Sequence, residues 1–451
     1  MRPNPTSRSI RETEQVWPLV VCALVMEAGF GLIHLARTPA EQVALVLLGY
    51  LIGGLAFIWL LWWLRDADSA STPRSAIVIL LVAGIAFRLT LLPLTPATSG
   101  DVHRYLWEGL VQLHGFSPYA LAPTAPQLAP LASEYESLWR SINHPDIPAI
   151  YPPVAQMLFL CNAAVFDGSL LGWKVILLVF DGLLCVCLWV LLRRESAAIV
   201  GLAGVLWCPL LLLESYEGGH LDLVGVALTV LAIVALIRGH PAVAGVALGL
   251  SINVKYLWPA LLLIILARYA ATHRRCLVFV AVTAGVALLS WIPYRADLGA
   301  AAETLRMFAE RWTFNDLIFE RVRRLPGPPW APMAYVVGAL ACLAAWLALR
   351  RPRDIWIGAW LLTGGALLLG PVAYPWYFLW IVPGLALRPP MWLVVWVLSV
   401  PALHLVDWRY VSTGQWDEMR WLWLATGLLP GVLLTTAWWQ HLRPTRATER
   451  C

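Results

Sequence analysis

The run Ser99-Gly100-Asp101-Val102-His103-Arg104-Tyr105-Leu106-Trp107-Glu108-Gly109 brings an acid, an imidazole, a guanidinium and a second acid together just after an apolar stretch, 75–93, long enough to cross a bilayer. Ionisable side chains beside a membrane core are costly unless they face water or one another, so this placement points to chemistry at the membrane surface. Helical spacing puts Asp101, Arg104, Tyr105 and Glu108 on one side. Val102, Leu106, Gly109, Leu110 and Leu113 form an apolar stripe, the pattern of an amphipathic helix lying in the interface. Two roles are open to Asp101. Ser-Gly-Asp is a natural helix start, which suits a capping carboxylate, and a helix N-terminus also favours the ionised form that a general base needs.

Further candidates follow along the chain. Glu214, Glu217, His220 and Asp222 crowd one turn; their spacing admits a divalent cation, although carboxylates at such a turn more commonly face water. His220 has an N–H for a phosphate oxygen, and Gly218-Gly219 would let a ligand approach the backbone. Lys255, one of two lysines with Lys174, interrupts an apolar run and needs an anionic partner, either a substrate phosphate or a group of the protein. Thr313-Phe314-Asn315-Asp316 and Tyr374-Pro375-Trp376-Tyr377 set polar tips beside aromatic surface, where Tyr and Trp also serve as interface belts.

The elements that must position these groups are membrane helices. Of 451 residues 60% are hydrophobic and 13% charged, mean hydropathy is +0.71, and apolar runs recur throughout, so the expected fold is an all-α polytopic membrane protein. The net charge of +5 is spread in short arginine patches, which suits topology determinants and not nucleic acid. Seven of the eight cysteines lie in or beside apolar segments without disulfide or metal spacing, and read as packing. Arg2, Arg8 and Arg11 precede a first apolar run that lacks a cleavage signature, so it reads as a retained helix.

With that arginine-bearing end inside, spans are expected near 17–36, 42–64 and 75–93, returning Arg65 to Arg74 inside. A first long outer loop covers 94–169, in which 152–166 lies in the interface instead of crossing. Spans near 170–192, 197–213 and 221–237 follow, then a run 241–267 broken at Asn253-Val254-Lys255-Tyr256. A span near 276–293 leads to a second outer loop, 294–330, and spans near 331–349, 355–370, 374–387, 391–406 and 421–438 complete about twelve to fourteen in one domain, 1–451. Inner turns carry arginine at nearly every position. The second outer loop breaks the rule with Arg295, Arg306, Arg311, Arg321, Arg323 and Arg324, which invites an anionic partner such as a lipid phosphate.

The stretches DVHRYLWEGLVQLHGFSPYALAP, NHPDIPAIYPPVAQMLF, EGGHLDLVGVAL, LSINVKYLWPALLL, RWTFNDLIF and PVAYPWYFLWIVP, in this order over residues 75–390, resemble the polyprenyl-phosphate-sugar-dependent glycosyltransferases of the GT-C fold. They are most similar to bacterial family 87 and related mannosyltransferases. The resemblance implies a first outer loop holding an acidic base, which maps onto Asp101, and two juxtamembrane helices, 101–114 and 152–166. It also implies a polyprenyl-phosphate sugar donor and a lipid or envelope-glycan acceptor, with the site on the outer side of the inner or plasma membrane. The chain departs from the pattern in placing this motif after its third span and in carrying a lone Asp where many relatives have an acidic pair.

A sugar leaving as a phosphate monoester has a good leaving group, so a base and cations suffice. Asp101 is the expected base of an inverting hexosyl transfer, mannose favoured, with no cofactor required and a divalent metal only an option. His103, Arg104, Tyr105, Glu108, Tyr151, His220, Asp222, Lys255, Arg306, Arg311, Asn315, Trp376 and Tyr377 are the expected donor and substrate contacts. A lipid or solute transporter and a non-catalytic membrane-assembly subunit are the alternatives. A transporter is expected to carry charges along a path through the bilayer.

Overall fold

The computed structural model describes residues 5–64, 74–193, 198–350, 355–386 and 391–432. The inner turns carrying Arg65 and Arg351-Arg353, the end of the last expected span and the arginine-bearing tail lie outside these residues. The described chain is helical, with an isolated β-bridge between Phe314 and Val372.

Three apolar helices open the fold: α1 (Pro5–Gly31), α2 (Pro39–Leu64) and α3 (Arg74–Leu91). The expected first outer loop follows, with α4 (Asp101–Leu113), the short α5 (Ala129–Glu134) and α6 (Glu136–Arg140), and α7 (Pro153–Phe166). Next come α8 (Leu170–Leu192), α9 (Ala198–Leu206) and α10 (Pro209–Tyr216), the last two separated by a kink that Pro209 forces, then α11 (Asp222–Ile237), α12 (Pro241–Ile252), α13 (Leu257–Leu266) and α14 (His273–Leu289). Residues 294–330 hold α15 (Leu298–Arg311) and α16 (Leu317–Val322), followed by α17 (Ala331–Arg350), α18 (Ile355–Leu369), α19 (Met391–Ser399) and α20 (His404–Thr413). Among the described residues seven helical stretches are long and apolar enough to cross a membrane, eight if the bent pair His273–Leu289 and Ile292–Arg311 counts as one span. Several others of the expected twelve to fourteen are shorter apolar helices such as Asp222–Ile237 and Ile355–Leu369. Where 374–387 reads as a span, the chain instead runs as a buried 3-10 stretch, Pro375–Ala386, with Pro383 inside it.

The helices alternate direction, so the molecule has two chemically distinct ends. At one, Arg238 donates to the Val190 carbonyl and Arg268 to that of Ala348. At the other, Trp173 in the first turn of α8 donates to the Gly219 carbonyl before α11, and Asn253 at the end of α12 accepts from the backbone N–H groups of Val154 and Ala155. Both ends of α7 therefore sit at this second end: its start rests on Asn253, and Gly168 just past its close lies against Leu110. Fourteen residues span only about 21 Å, too little for a hydrocarbon core of about 30 Å, as expected for a helix that does not cross.

One ion pair lies deep among the spans. Arg88 meets Asp181 at 2.5 Å and donates to the carbonyls of Gly84 and Leu206, and Tyr216 donates to Asp181, so this pair is closed within the protein.

Candidate functional site

Asp101 is the first residue of α4, and Gly100, not Asp101, occupies the cap position, with no side-chain cap bond. The carboxylate instead accepts from Asn143 Nδ2 at 2.7 Å through Oδ1. It is partly exposed.

The neighbours of Asp101 on α4 differ from the expectation of a solvent-facing polar side. Arg104 and Glu108 are buried, 6% and 2% exposed, because residues 114–150 fold back over the helix. The Arg104 guanidinium binds Glu108 Oε1 through Nε and Nη2 at 3.1 and 3.0 Å, and reaches the carbonyls of His144 at 3.0 Å and Ile147 at 2.9 Å. Glu108 also accepts from Gln156 Nε2 on α7 at 2.6 Å. These two residues, expected as donor contacts, are occupied in bracing the loop 143–147. His103 is half-buried, and burial holds its imidazole below the ordinary range. Tyr105 and Tyr151 meet edge to face at 5.0 Å within a cluster completed by Phe159 and Trp173.

Gly109 lets α4 and α7 touch: a Cβ there would stand 2.2 Å from the Phe159 carbonyl oxygen. Gly219, at φ +71, makes the turn that delivers His220 and Asp222.

The second part of the cluster comes from the broken helix. Lys255, in the gap between α12 and α13, lies 3.0 Å from Asp222 and 3.8 Å above the Tyr377 ring. Asp222 also accepts from Trp380 Nε1 at 2.8 Å. His220 is fully buried, stacked on Trp376 at 4.0 Å, with both ring nitrogens unbonded. Burial keeps its imidazole well below the ordinary range and Lys255 pushes the same way. The stack continues from Trp376 to Tyr374 at 4.6 Å and on to Phe314 at 4.5 Å, where backbone bonds tie Phe314 to Pro371 and Ala373. The segment 313–316 and the Tyr374–Tyr377 motif are thereby one unit.

Burial raises the phenols of Tyr105, Tyr151, Tyr374 and Tyr377, and the Asp101 carboxylate adds to each, so residues from three separate segments lie within reach of its field.

Three expected members stand apart. Arg306 is exposed and pairs with Glu303 and Glu310 on its own helix, at 2.7 and 3.5 Å. Arg311 is exposed at the end of the same helix. Asn315, at φ +54, accepts from Thr426 at 3.3 Å and belongs to the joint with residues 422–426.

Glu214 and Glu217 depart from the expectation of water-facing carboxylates, since both are 1% exposed. Tyr50 donates to Glu214 at 2.5 Å, and His404 bridges Glu214 and Asp407 at 2.8 Å each. Glu217 accepts from the Ala97 N–H and the Thr98 hydroxyl at 2.7 and 2.9 Å. Glu214 Oε2 lies 3.6 Å from His220 Nε2, but Asp222 is taken by Lys255 and Trp380 and Glu217 by Ala97 and Thr98, and among the described residues no group of three His, Cys, Asp or Glu side chains could hold a metal ion. Sequence reasoning missed Asn143, Trp380 and His404 as partners of site residues. Asn143 lies within the NHPD stretch, where an amide before a proline-containing turn was its available signal.

The site thus combines a partly exposed carboxylate, a paired lysine and an aromatic wall at one end of an apolar bundle. No curated protein matches the chain. Residues 19–273 match the family MptA_B, alpha-(1->6)-mannopyranosyltransferase, N-terminal domain. The matched part covers more than half of the chain and contains Asp101, Asn143, Tyr151, His220, Asp222 and Lys255. This membrane protein belongs to the MptA_B family, and is a glycosyltransferase.

Proposed function

We propose that the chain transfers a mannosyl unit from a polyprenyl-phosphate donor to a hydroxyl of a lipid or envelope-glycan acceptor on the outer face of the cell membrane, with Asp101 as base. The family description suggests an α-(1→6) linkage. The observation that carries this reading is Asp101 itself: a partly exposed carboxylate at a helix N-terminus, one oxygen held by Asn143.

Asp101 takes the proton of the acceptor hydroxyl as that oxygen bonds to the anomeric carbon. The bond from that carbon to the phosphate oxygen breaks, and the polyprenyl phosphate leaves as a monoester. A single displacement inverts the anomeric centre, so an α-linked product requires a β-linked donor. Lys255 is the cation best placed for the leaving phosphate, since Asp222 and the Tyr377 ring hold its ammonium at the helix break. His220 offers an uncharged N–H beside it. Arg306 and Arg311, on an exposed helix, are left to the membrane surface. Arginine at the end opposite the site supports an outer site by the positive-inside tendency. The prenyl chain would lie along the apolar helices, which explains a site at the bundle's edge.

Mass spectrometry of lipid and envelope-glycan pools with and without the gene tests this. Loss of an α-mannosyl unit, with accumulation of its lipid-linked donor, is the expected result. Unchanged pools, or incorporation from an α-linked donor with retained configuration, would contradict it.

A further inference from the structure

A carboxylate at the first position of a helix turns about two side-chain bonds, and a base works only if one oxygen is held toward the acceptor. Among the described residues, the side-chain bond given to the Asp101 carboxylate comes from Asn143 Nδ2, at 2.7 Å to Oδ1. This leaves Oδ2 free to take a proton. The Asn143 amide makes no other hydrogen bond through its own oxygen, which is buried and unpartnered, so its orientation is spent on Asp101.

Asn143 comes from 42 residues further along the chain, and its backbone is clamped from the helix that carries the base. Arg104 donates to the carbonyls of Asn143, His144 and Ile147 at 3.4, 3.0 and 2.9 Å. Glu108 holds Arg104, and Gln156 holds Glu108. His144 takes the left-handed turn at φ +47, and a Cβ at Gly100 would stand 3.6 Å from Asn143 Cβ.

We propose that Asn143 is the positioning residue of the base, with Arg104 and Glu108 as its brace. This rests on Asp101 being the base. Asn143 supplies a donor to the ionised carboxylate without adding charge. The other charged groups around Asp101 are the carboxylates of Glu108, Asp222 and Asp407 and the imidazoles of His103 and His144, whose titrations it influences. Arg104 acts on His144 and Glu108. None of these offers Asp101 a hydrogen bond in the structure. Removing the Asn143 donor therefore makes protonation of the base easier and moves the acidic limb of the rate profile to higher pH.

The test is mannosyl transfer by the full-length protein in proteoliposomes as a function of pH, for wild type, Asn143→Ala, Asn143→Asp and Asp101→Asn. Asn143→Ala should move the acidic limb up by about half a unit to one unit and lower kcat about tenfold, with KM for the donor within about twofold. Asn143→Asp, isosteric and so keeping the loop packed, should move the limb further. A limb unmoved in both variants overturns the proposal, as does loss of folded protein in both, which would make Asn143 structural. If Asp101→Asn keeps its turnover, the base assignment itself fails; if Asp101→Asn is inactive while both Asn143 variants keep the wild-type limb, only the positioning role fails.

Discussion

Lys255 shows how a residue carries two accounts at once. A half-buried cation with a carboxylate at 3.0 Å is a structural pair, and the same cation beside the proposed phosphate is a ligand. The accounts separate by mutation. Lys255→Met leaves Asp222 buried and unpaired, which should cost about 3–5 kcal/mol and also weaken donor binding. Adding Asp222→Asn should recover most of the melting temperature but none of the donor affinity. Recovery of both would make Lys255 structural alone. At this scale the sequence spoke for residue types and poorly for partners. Lys255 was legible because a lysine in an apolar run needs an anion. Arg306 was misread although Glu303 and Glu310, three before and four after it, announced local pairing. Glu214 was misread for a stronger reason: its partners Tyr50 and His404 lie 164 and 190 residues away.

Among the elements, α4 and α7 decide where the base stands. Their contact at Gly109 has no room for a side chain, because the atoms in the way are backbone atoms of Phe159 and cannot turn aside. Alanine gains about 1 kcal/mol over glycine in an open helix, but overpacking here should cost roughly 1–3 kcal/mol or more. Gly109→Ala should therefore lower both melting temperature and transfer, whereas Gly182→Ala on α8, where a Cβ meets nothing within 4 Å, should be neutral or stabilising. Equal behaviour of the two would remove the close approach from the account. The helices themselves were legible from hydrophobic runs, and the break at Asn253–Tyr256 from the polar residues interrupting one. That α4 is buried on its polar side was not legible, since the residues covering it, 114–150, fold back by contacts that no local periodicity records. The 3-10 stretch Pro375–Ala386 was hidden by hydropathy, which counts apolar residues and not hydrogen bonds.

The whole molecule is a bundle with an arginine end and a reactive end, and its orientation decides which pool of substrates it meets. In protein whose native cysteines have been replaced, a cysteine at exposed Ser133 should react with an impermeant thiol reagent applied outside, and one at exposed Ala271 should react only after permeabilisation. Labelling of both from one side would reject the two-ended arrangement across the membrane. The central claim, that this bundle performs glycosyl transfer with Asp101 as base, is tested most directly with purified protein in proteoliposomes, a labelled β-mannosyl phosphate on a polyprenyl chain, and an α-mannoside acceptor. Wild type should move the label to the acceptor in an α-(1→6) bond, and Asp101→Asn, folded and inserted, should do so about two or more orders of magnitude more slowly. Label that crosses the bilayer still attached to its lipid, or an Asp101→Asn protein turning over at the wild-type rate, would contradict the account.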